Sequence, residues 1–183
     1  MRRLLRPEAV LLLALASAAA VAAAKPPAPP RSAAPAGEAL VFTVTLDDAI
    51  HPITARFLKE AIARANDEGA ALLIVKLDTP GGWLNSTEEM VREITSSRVP
   101  VVVFVNGSKA ASAGFFITIA ADVAVMAPGT RIGAAHPVAV MGEIPKDSPM
   151  MAKIENDAAA WARSLASNRG RNEKVSEEIV RKS

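Results

Sequence analysis

Ser112 stands where an apolar strand pattern gives way to an apolar helix pattern. Residues 99–105 are rich in β-branched side chains and precede Asn106 and Gly107, which predicts a buried strand that ends in a polar loop, 106–111. The segment that begins at Ser112 is apolar all round and predicts a buried helix. A serine at this junction is expected to face the carboxyl edge of a sheet beside free backbone N–H groups, as a catalytic nucleophile requires.

Backbone donors for a developing oxyanion are expected from two loops at the same sheet edge. Pro80, Gly81 and Gly82 follow the preceding apolar strand, and glycines let a backbone approach a ligand without a Cβ in the way. The N–H of Ala113 is the second source. Each motif alone also has a purely structural explanation. The glycine loop is also explained by a tight turn, and the segment around Ala113 by a close-packed helix start. Because the two follow consecutive strands, we predict that Gly81, Gly82 and Ala113 form an oxyanion hole.

A serine nucleophile needs a base, and the sequence offers His136 and Lys153. A histidine accepts a proton near neutral pH without a special environment, so side-chain chemistry alone favours His136. Lys153 lies in the first turn of a predicted long helix, near Ile154, Ala158 and Trp161. Burial among these apolar side chains would favour its neutral amine, which can take the serine proton. The two bases remain alternatives at this point.

The elements around these residues alternate between strands and helices, which predicts βαβ units and an open α/β sheet. Residues 134–149 show little periodicity and predict a mobile loop over the site. A further helix is expected to begin at a capping box formed by Ser86 and Glu89, and Ser176 is a candidate cap for a last helix. Strands are predicted over 39–46, 71–77, 99–105 and 122–126, and helices over 53–68, from 112 onward and over 151–168.

The composition narrows the classes of function. The chain has 183 residues, half of them hydrophobic, no cysteine and only two histidines, so we expect no disulfide, no metal and no organic cofactor. Removing Arg2, Arg3, Arg6 and Glu8 from 21 basic and 19 acidic residues leaves 18 of each. Because that remainder is neutral and aromatic residues make up only 4%, we expect no nucleic-acid partner.

The chain is predicted to have three parts. Residues 1–24 combine early arginines with an apolar run of about 16 residues, shorter than the roughly 20 that a spanning helix needs. They are typical of a secretory signal peptide, with an uncleaved membrane anchor as the alternative. Residues 25–37 form a Pro/Ala-rich linker. Residues 38–183 form the folded domain.

Several segments resemble the NfeD-type membrane-bound serine proteases of the ClpP class, over roughly residues 40–183. The resemblance implies a ClpP/crotonase-like spiral of βαβ units, with Ser112 as nucleophile, Lys153 as general base, and Gly81, Gly82 and Ala113 at the oxyanion hole. Clp peptidases have their catalytic histidine near the place of His136, which stays the alternative base. Family members continue further, so the domain is expected to be C-terminally incomplete. The matching segments are LDTPGG (77–82), VPVVVFVNGSKAASAGFFI (99–117), MAPGTRIGAAHPV (126–138) and KIENDAAAWARSLASNRGRN (153–172).

The expected function is that of a Ser-Lys endopeptidase at the periplasmic or extracytoplasmic face of the cytoplasmic membrane. By the resemblance, it would cleave hydrophobic peptide segments of membrane-associated proteins such as stomatins and would form a homodimer or a higher homo-oligomer. Two alternative functions are compatible with the same fold. One is a non-catalytic, truncated module that binds apolar peptides. The other is a crotonase-like acyl-CoA enzyme that uses the same donors to stabilise an enolate.

Overall fold

The computed structural model describes residues 39–138, 145 and 148–182. The predicted leader (1–24), the linker (25–37) and the centre of the predicted loop 134–149 lie outside the described residues. Strands and helices alternate along most of the rest, as the periodicity predicts. The elements are β1 (Val41–Asp47), α1 (Pro52–Asp67), β2 (Leu72–Thr79), α2 (Leu84–Ser96), β3 (Val101–Ala111), α3 (Ala113–Ala120), β4 (Val123–Met126), β5 (Arg131–Gly133), α4 (Pro149–Asn168) and α5 (Glu173–Lys182).

The strands form one parallel sheet in the order β1-β2-β3-β4, with β5 paired to the far end of β3. Parallel neighbours need a crossover between them, and α1, α2 and α3 supply the first three. This confirms the predicted α/β class. The carboxyl ends of β2 and β3 lie side by side, where ligands bind in sheets of this kind.

β3 is longer than its apolar run. The prediction of a loop over 106–111 is wrong, because the strand continues to Ala111. Its last residues, Lys109 to Ala111, pair with β5, and Ala110 also pairs with Thr79 of β2. These contacts are made by the backbone, so small and polar side chains can occupy the strand without an apolar pattern.

Two predicted helix caps are wrong in position. α2 begins at Leu84, so Ser86 is buried inside the helix and forms no capping box with Glu89. Ser176 likewise lies buried inside α5. The capping box occurs instead on α1, where His51 Nδ1 accepts from a backbone N–H and Thr54 Oγ1 accepts from the His51 N–H at 3.0 Å.

The core lies on one face of the sheet. Alternate residues of β2 and β3 are fully buried there, whereas Val102 and Phe104 on the opposite face are half-buried, so the prediction of a buried strand at residues 99–105 is only partly correct. Every residue of α3 is buried. Within the described ranges, no helix is both long enough and apolar enough to cross a membrane.

Candidate active site

Ser112 lies at the junction of β3 and α3, where the sequence predicts it. Its backbone angles are φ 52° and ψ −112°, a region that residues with a side chain rarely adopt. Its N–H donates to the carbonyl of Gly133 on β5 at 2.8 Å, which helps to hold this conformation. Because strained residues persist only where the surroundings impose the strain, the turn is a rigid support for the half-buried serine side chain.

The glycine loop after β2 packs directly against this serine. A Cβ placed on Gly81 would lie 2.7 Å from Ser112 Cβ and 3.2 Å from Ser112 Oγ. The φ of Gly81 is +114°, a second reason why a side chain is excluded. The structure therefore brings Gly81 and Ser112 together at one sheet edge.

The hydrogen bonds of the loop distinguish its two glycines. The Gly81 N–H donates to Thr79 Oγ1 at 3.2 Å, and the Gly81 carbonyl accepts from the Ile50 N–H at 2.8 Å. Among the described residues, the N–H groups of Gly82 and Ala113 have no protein acceptor. Of the three predicted oxyanion donors, the Gly81 N–H is already bonded to Thr79, whereas those of Gly82 and Ala113 have no protein acceptor in the described part of the chain.

Thr79 is a residue of the site that the sequence does not single out. It is completely buried, and besides holding the Gly81 N–H it packs against the start of α3. A Cβ on Gly114 would lie 2.6 Å from Thr79 Cγ2. The last residue of β2 therefore contacts both the glycine loop and the helix that follows Ser112.

The C-terminal end of α3 is held by two arginines that follow α4. Arg169 Nε donates to the Ala120 carbonyl at 2.7 Å, and Arg171 donates to the carbonyls of Ile119 and Ala121 at 3.1 and 2.9 Å. Positive charge at this end of a helix complements its dipole, and the dipole makes the opposite end, beside Ser112, attractive to an oxyanion.

Lys153 is exposed in the second turn of α4, and within the described part of the chain it forms no hydrogen bond or ion pair. The expected burial near Trp161 is therefore not seen in the single chain. Trp161 itself is half-buried and stacks on Phe116 of α3, with ring centroids 4.5 Å apart. The described structure joins Ser112 to the glycine loop but not to Lys153.

His136 contacts the last helix. Its Nδ1 lies 3.2 Å from the carbonyl oxygen of Val180 in α5. The residues of the described ranges contain no cluster of three or more His, Asp or Glu that could hold a metal ion.

Comparison with known proteins shows the family to which the chain belongs. The sequence model of the family described as NfeD1b, N-terminal domain, matches residues 40–182. The chain belongs to this family. It is 38% identical over 126 residues to the membrane-bound protease PH1510 of Pyrococcus horikoshii, covering 66% of this chain and 28% of that protein. It is 36% identical over 102 residues to the membrane protein NfeD1b of Bacillus subtilis, covering 56% and 23%. The chain thus spans about a quarter of the length of the curated relatives it matches.

Solved structures support the same grouping. A mutant of the 1510-N membrane-bound stomatin-specific protease, in which a serine is replaced by alanine, matches with a TM-score of 0.71 and 32% identity over 79% of this chain and 70% of that one. A lysine-to-alanine mutant of that protease, in complex with a substrate peptide, matches with the same score and identity over 78% and 66%. ClpP1 of Listeria monocytogenes, at 17% identity and a TM-score of 0.61 over 77% and 79%, shares the fold. The resemblance to the NfeD-type proteases and the predicted ClpP-like fold are confirmed.

Proposed function

We propose that this chain carries the catalytic domain of a serine endopeptidase in which Ser112 is the nucleophile and Lys153 the general base. One observation carries the proposal: Gly81 packs against Ser112, and the N–H groups of Gly82 and Ala113 beside it have no protein acceptor among the described residues. A nucleophile next to two free backbone donors is the arrangement that acyl transfer needs. The solved relatives that carry the family likeness are named as proteases.

In the proposed reaction, Ser112 Oγ attacks the scissile carbonyl carbon. The carbonyl oxygen becomes an oxyanion that accepts from the N–H groups of Gly82 and Ala113, and the N-terminal end of α3 adds its partial positive charge. The base takes the serine proton and then gives it to the leaving amine, which frees the C-terminal part of the peptide. Water then attacks the acyl carbon while the same base accepts its proton. The base passes this proton to Ser112 Oγ as the ester bond breaks, and the N-terminal part of the peptide leaves as a carboxylic acid.

The two mutants of the solved relative support Lys153 as that base. The serine replaced in one is residue 97 of that protein and the lysine replaced in the other is residue 138. Ser112 and Lys153 are separated by the same 41 positions. His136 is the alternative base, but its Nδ1 lies against the Val180 carbonyl.

A lysine can act as a base only as a neutral amine, and burial favours that form. Lys153 is exposed in the single chain, so the proposal requires the bound peptide, or a second copy of the chain, to exclude water from its amine. This requirement fits an apolar substrate. Trp83 and Leu84, directly after the oxyanion glycine, are 66% and 53% exposed and offer an apolar surface next to the site.

The proposed substrate is a hydrophobic segment of a membrane-associated protein. The solved relative is named as stomatin-specific, which supports a stomatin-like partner for this chain. Both curated relatives are named as membrane proteins, in keeping with a place at a membrane surface. We further propose that the domain works at the extracytoplasmic face, reached through the leader 1–24, and as a homo-oligomer.

A second candidate is a peptide-binding module without catalysis. The exposure of Lys153, and the absence of any described contact between it and Ser112, favour this alternative. Such a module would use the same apolar surface to hold a peptide. No observation favours acyl-CoA chemistry.

Cleavage of a fluorogenic apolar peptide by the full chain distinguishes these functions. Ser112→Ala and Lys153→Ala should each lose activity by at least about a thousandfold, and His136→Ala should retain most of it. Loss in His136→Ala with activity kept in Lys153→Ala would transfer the base role to His136. Peptide binding without cleavage in the folded parent, unchanged in Ser112→Ala, would establish the binding module instead.

A further inference from the structure

β2 and β3 fall out of register just before the site. Leu77 pairs with Val105, but the next pair joins Thr79 to Ala110. Between these pairs β2 has one residue, Asp78, and β3 has four. This register shift is an irregularity of the bulge type with three extra residues on β3, and bulges next to active sites redirect the strand that carries a functional side chain.

The side chain of Asp78 fills the gap that the bulge leaves. Its Oδ2 accepts from the Ser108 N–H at 2.8 Å and its Oδ1 accepts from the Lys109 N–H at 3.0 Å. A Cβ on Gly107 would collide with the carboxylate, so the backbone of β3 comes close only because residue 107 is glycine. One carboxylate thus replaces the ladder hydrogen bonds that are missing at the bulge.

The hydrogen bonds that Asp78 accepts favour its ionised form. The two backbone N–H groups lower the pKa of this carboxyl, and the positive charges of Lys109 and Arg131 lower it further by a smaller amount. The register neighbour of Asp78 on β1 is Asp47, an exposed residue whose like charge does not reverse this direction. Since the ionised form accepts both hydrogen bonds, the contact is complete near neutral pH.

The location of this contact gives it a role in the proposed reaction. Lys109 precedes Ser112 by three residues and Asp78 precedes Gly81 by three, so one carboxylate ties together the strands that lead to the nucleophile and to the oxyanion loop. We infer that Asp78 is a positioning residue that sets the distance between Ser112 and the Gly82 N–H. This role rests on the proposed peptidase function.

The test compares Asp78→Asn with Asp47→Asn in the full chain. Asparagine keeps the size of the side chain but turns an NH₂ group toward one of the two backbone donors. Small misplacements of reacting groups are costly, so kcat should fall about tenfold or more in Asp78→Asn with KM within about twofold of the parent. Asp47→Asn changes the register neighbour on an exposed site and should match the parent.

Gly107→Ala tests the same contact from the other strand and serves if Asp78→Asn fails to fold. It should lower kcat to a similar extent, and the double variant should be little worse than either single change, because both disrupt one contact. Equal kcat in Asp78→Asn and Asp47→Asn, or a loss confined to KM or to melting temperature, overturns the positioning role. An inactive, folded parent instead overturns the proposed function, and this role with it.

Discussion

The strained backbone of Ser112 is expected to lower the free energy of unfolding of the protein. Its φ of 52° and ψ of −112° lie where glycine is comfortable and residues with a Cβ are not. Conformations of this kind cost on the order of 1–3 kcal/mol. Glycine also makes the unfolded chain more flexible, which lowers the free energy of unfolding by about 0.4–1 kcal/mol. Ser112→Gly should therefore be more stable than Ser112→Ala, which keeps the strain, by about 1–2 kcal/mol.

Thermal unfolding followed by circular dichroism measures this difference. For a domain of this size, it corresponds to a melting temperature roughly 4 °C higher in Ser112→Gly than in Ser112→Ala. Both variants lack the nucleophile, so catalysis does not enter the comparison. Ala134→Gly, at an exposed residue with φ 47° next to Gly133, is a second positive-φ position for comparison and should also gain stability. If Ser112→Gly melts at or below the melting temperature of Ser112→Ala, while Ala134→Gly melts above that of the parent, the backbone of Ser112 is not strained.

Three further substitutions test the packing around the site. Gly81→Ala places a Cβ 2.7 Å from that of Ser112 and should lower kcat/KM by more than about tenfold. Activity near that of the parent would show that the loop moves to accommodate the methyl group. In Gly114→Ala, helix propensity gains about 1 kcal/mol, but overpacking against Thr79 costs about 1–3 kcal/mol. The urea midpoint should therefore fall, and a rise would mean that Thr79 moves aside. Arg171→Leu removes two hydrogen bonds to carbonyls at the C-terminal end of α3 and should lower the free energy of unfolding by about 1–3 kcal/mol in the same titration, unlike a matched change at the exposed Arg56.

Sequence patterns predicted the elements whose side chains meet the core. The β-branched runs of β2 and β3 and the all-apolar α3 are long and regular because one face, or all faces, must be buried. The position of Ser112 between β3 and α3 follows from that pattern. The approach of Gly81 to it was also predictable, since consecutive parallel strands end at one edge.

Features that depend on the backbone or on tertiary packing were not predictable. The sequence predicts a loop at the end of β3 because the pairing of this segment with β5 and Asp78 leaves no apolar periodicity. The division of roles between Gly81 and Gly82 depends on the Thr79 hydroxyl, which composition does not reveal. Lys153 was expected near Trp161, but a spacing of eight residues sets two helix side chains about 80° apart, and only Trp161 faces α3.

In the proposed function, the junction of β3 and α3 activates Ser112. Reaction of the folded full chain with a fluorophosphonate probe, followed by mass spectrometry of the digested protein, tests it most directly. One adduct is expected, on Ser112, that is lost in Ser112→Ala and forms much more slowly in Lys153→Ala. A folded parent that forms no adduct, or an adduct that persists in Ser112→Ala, would contradict it.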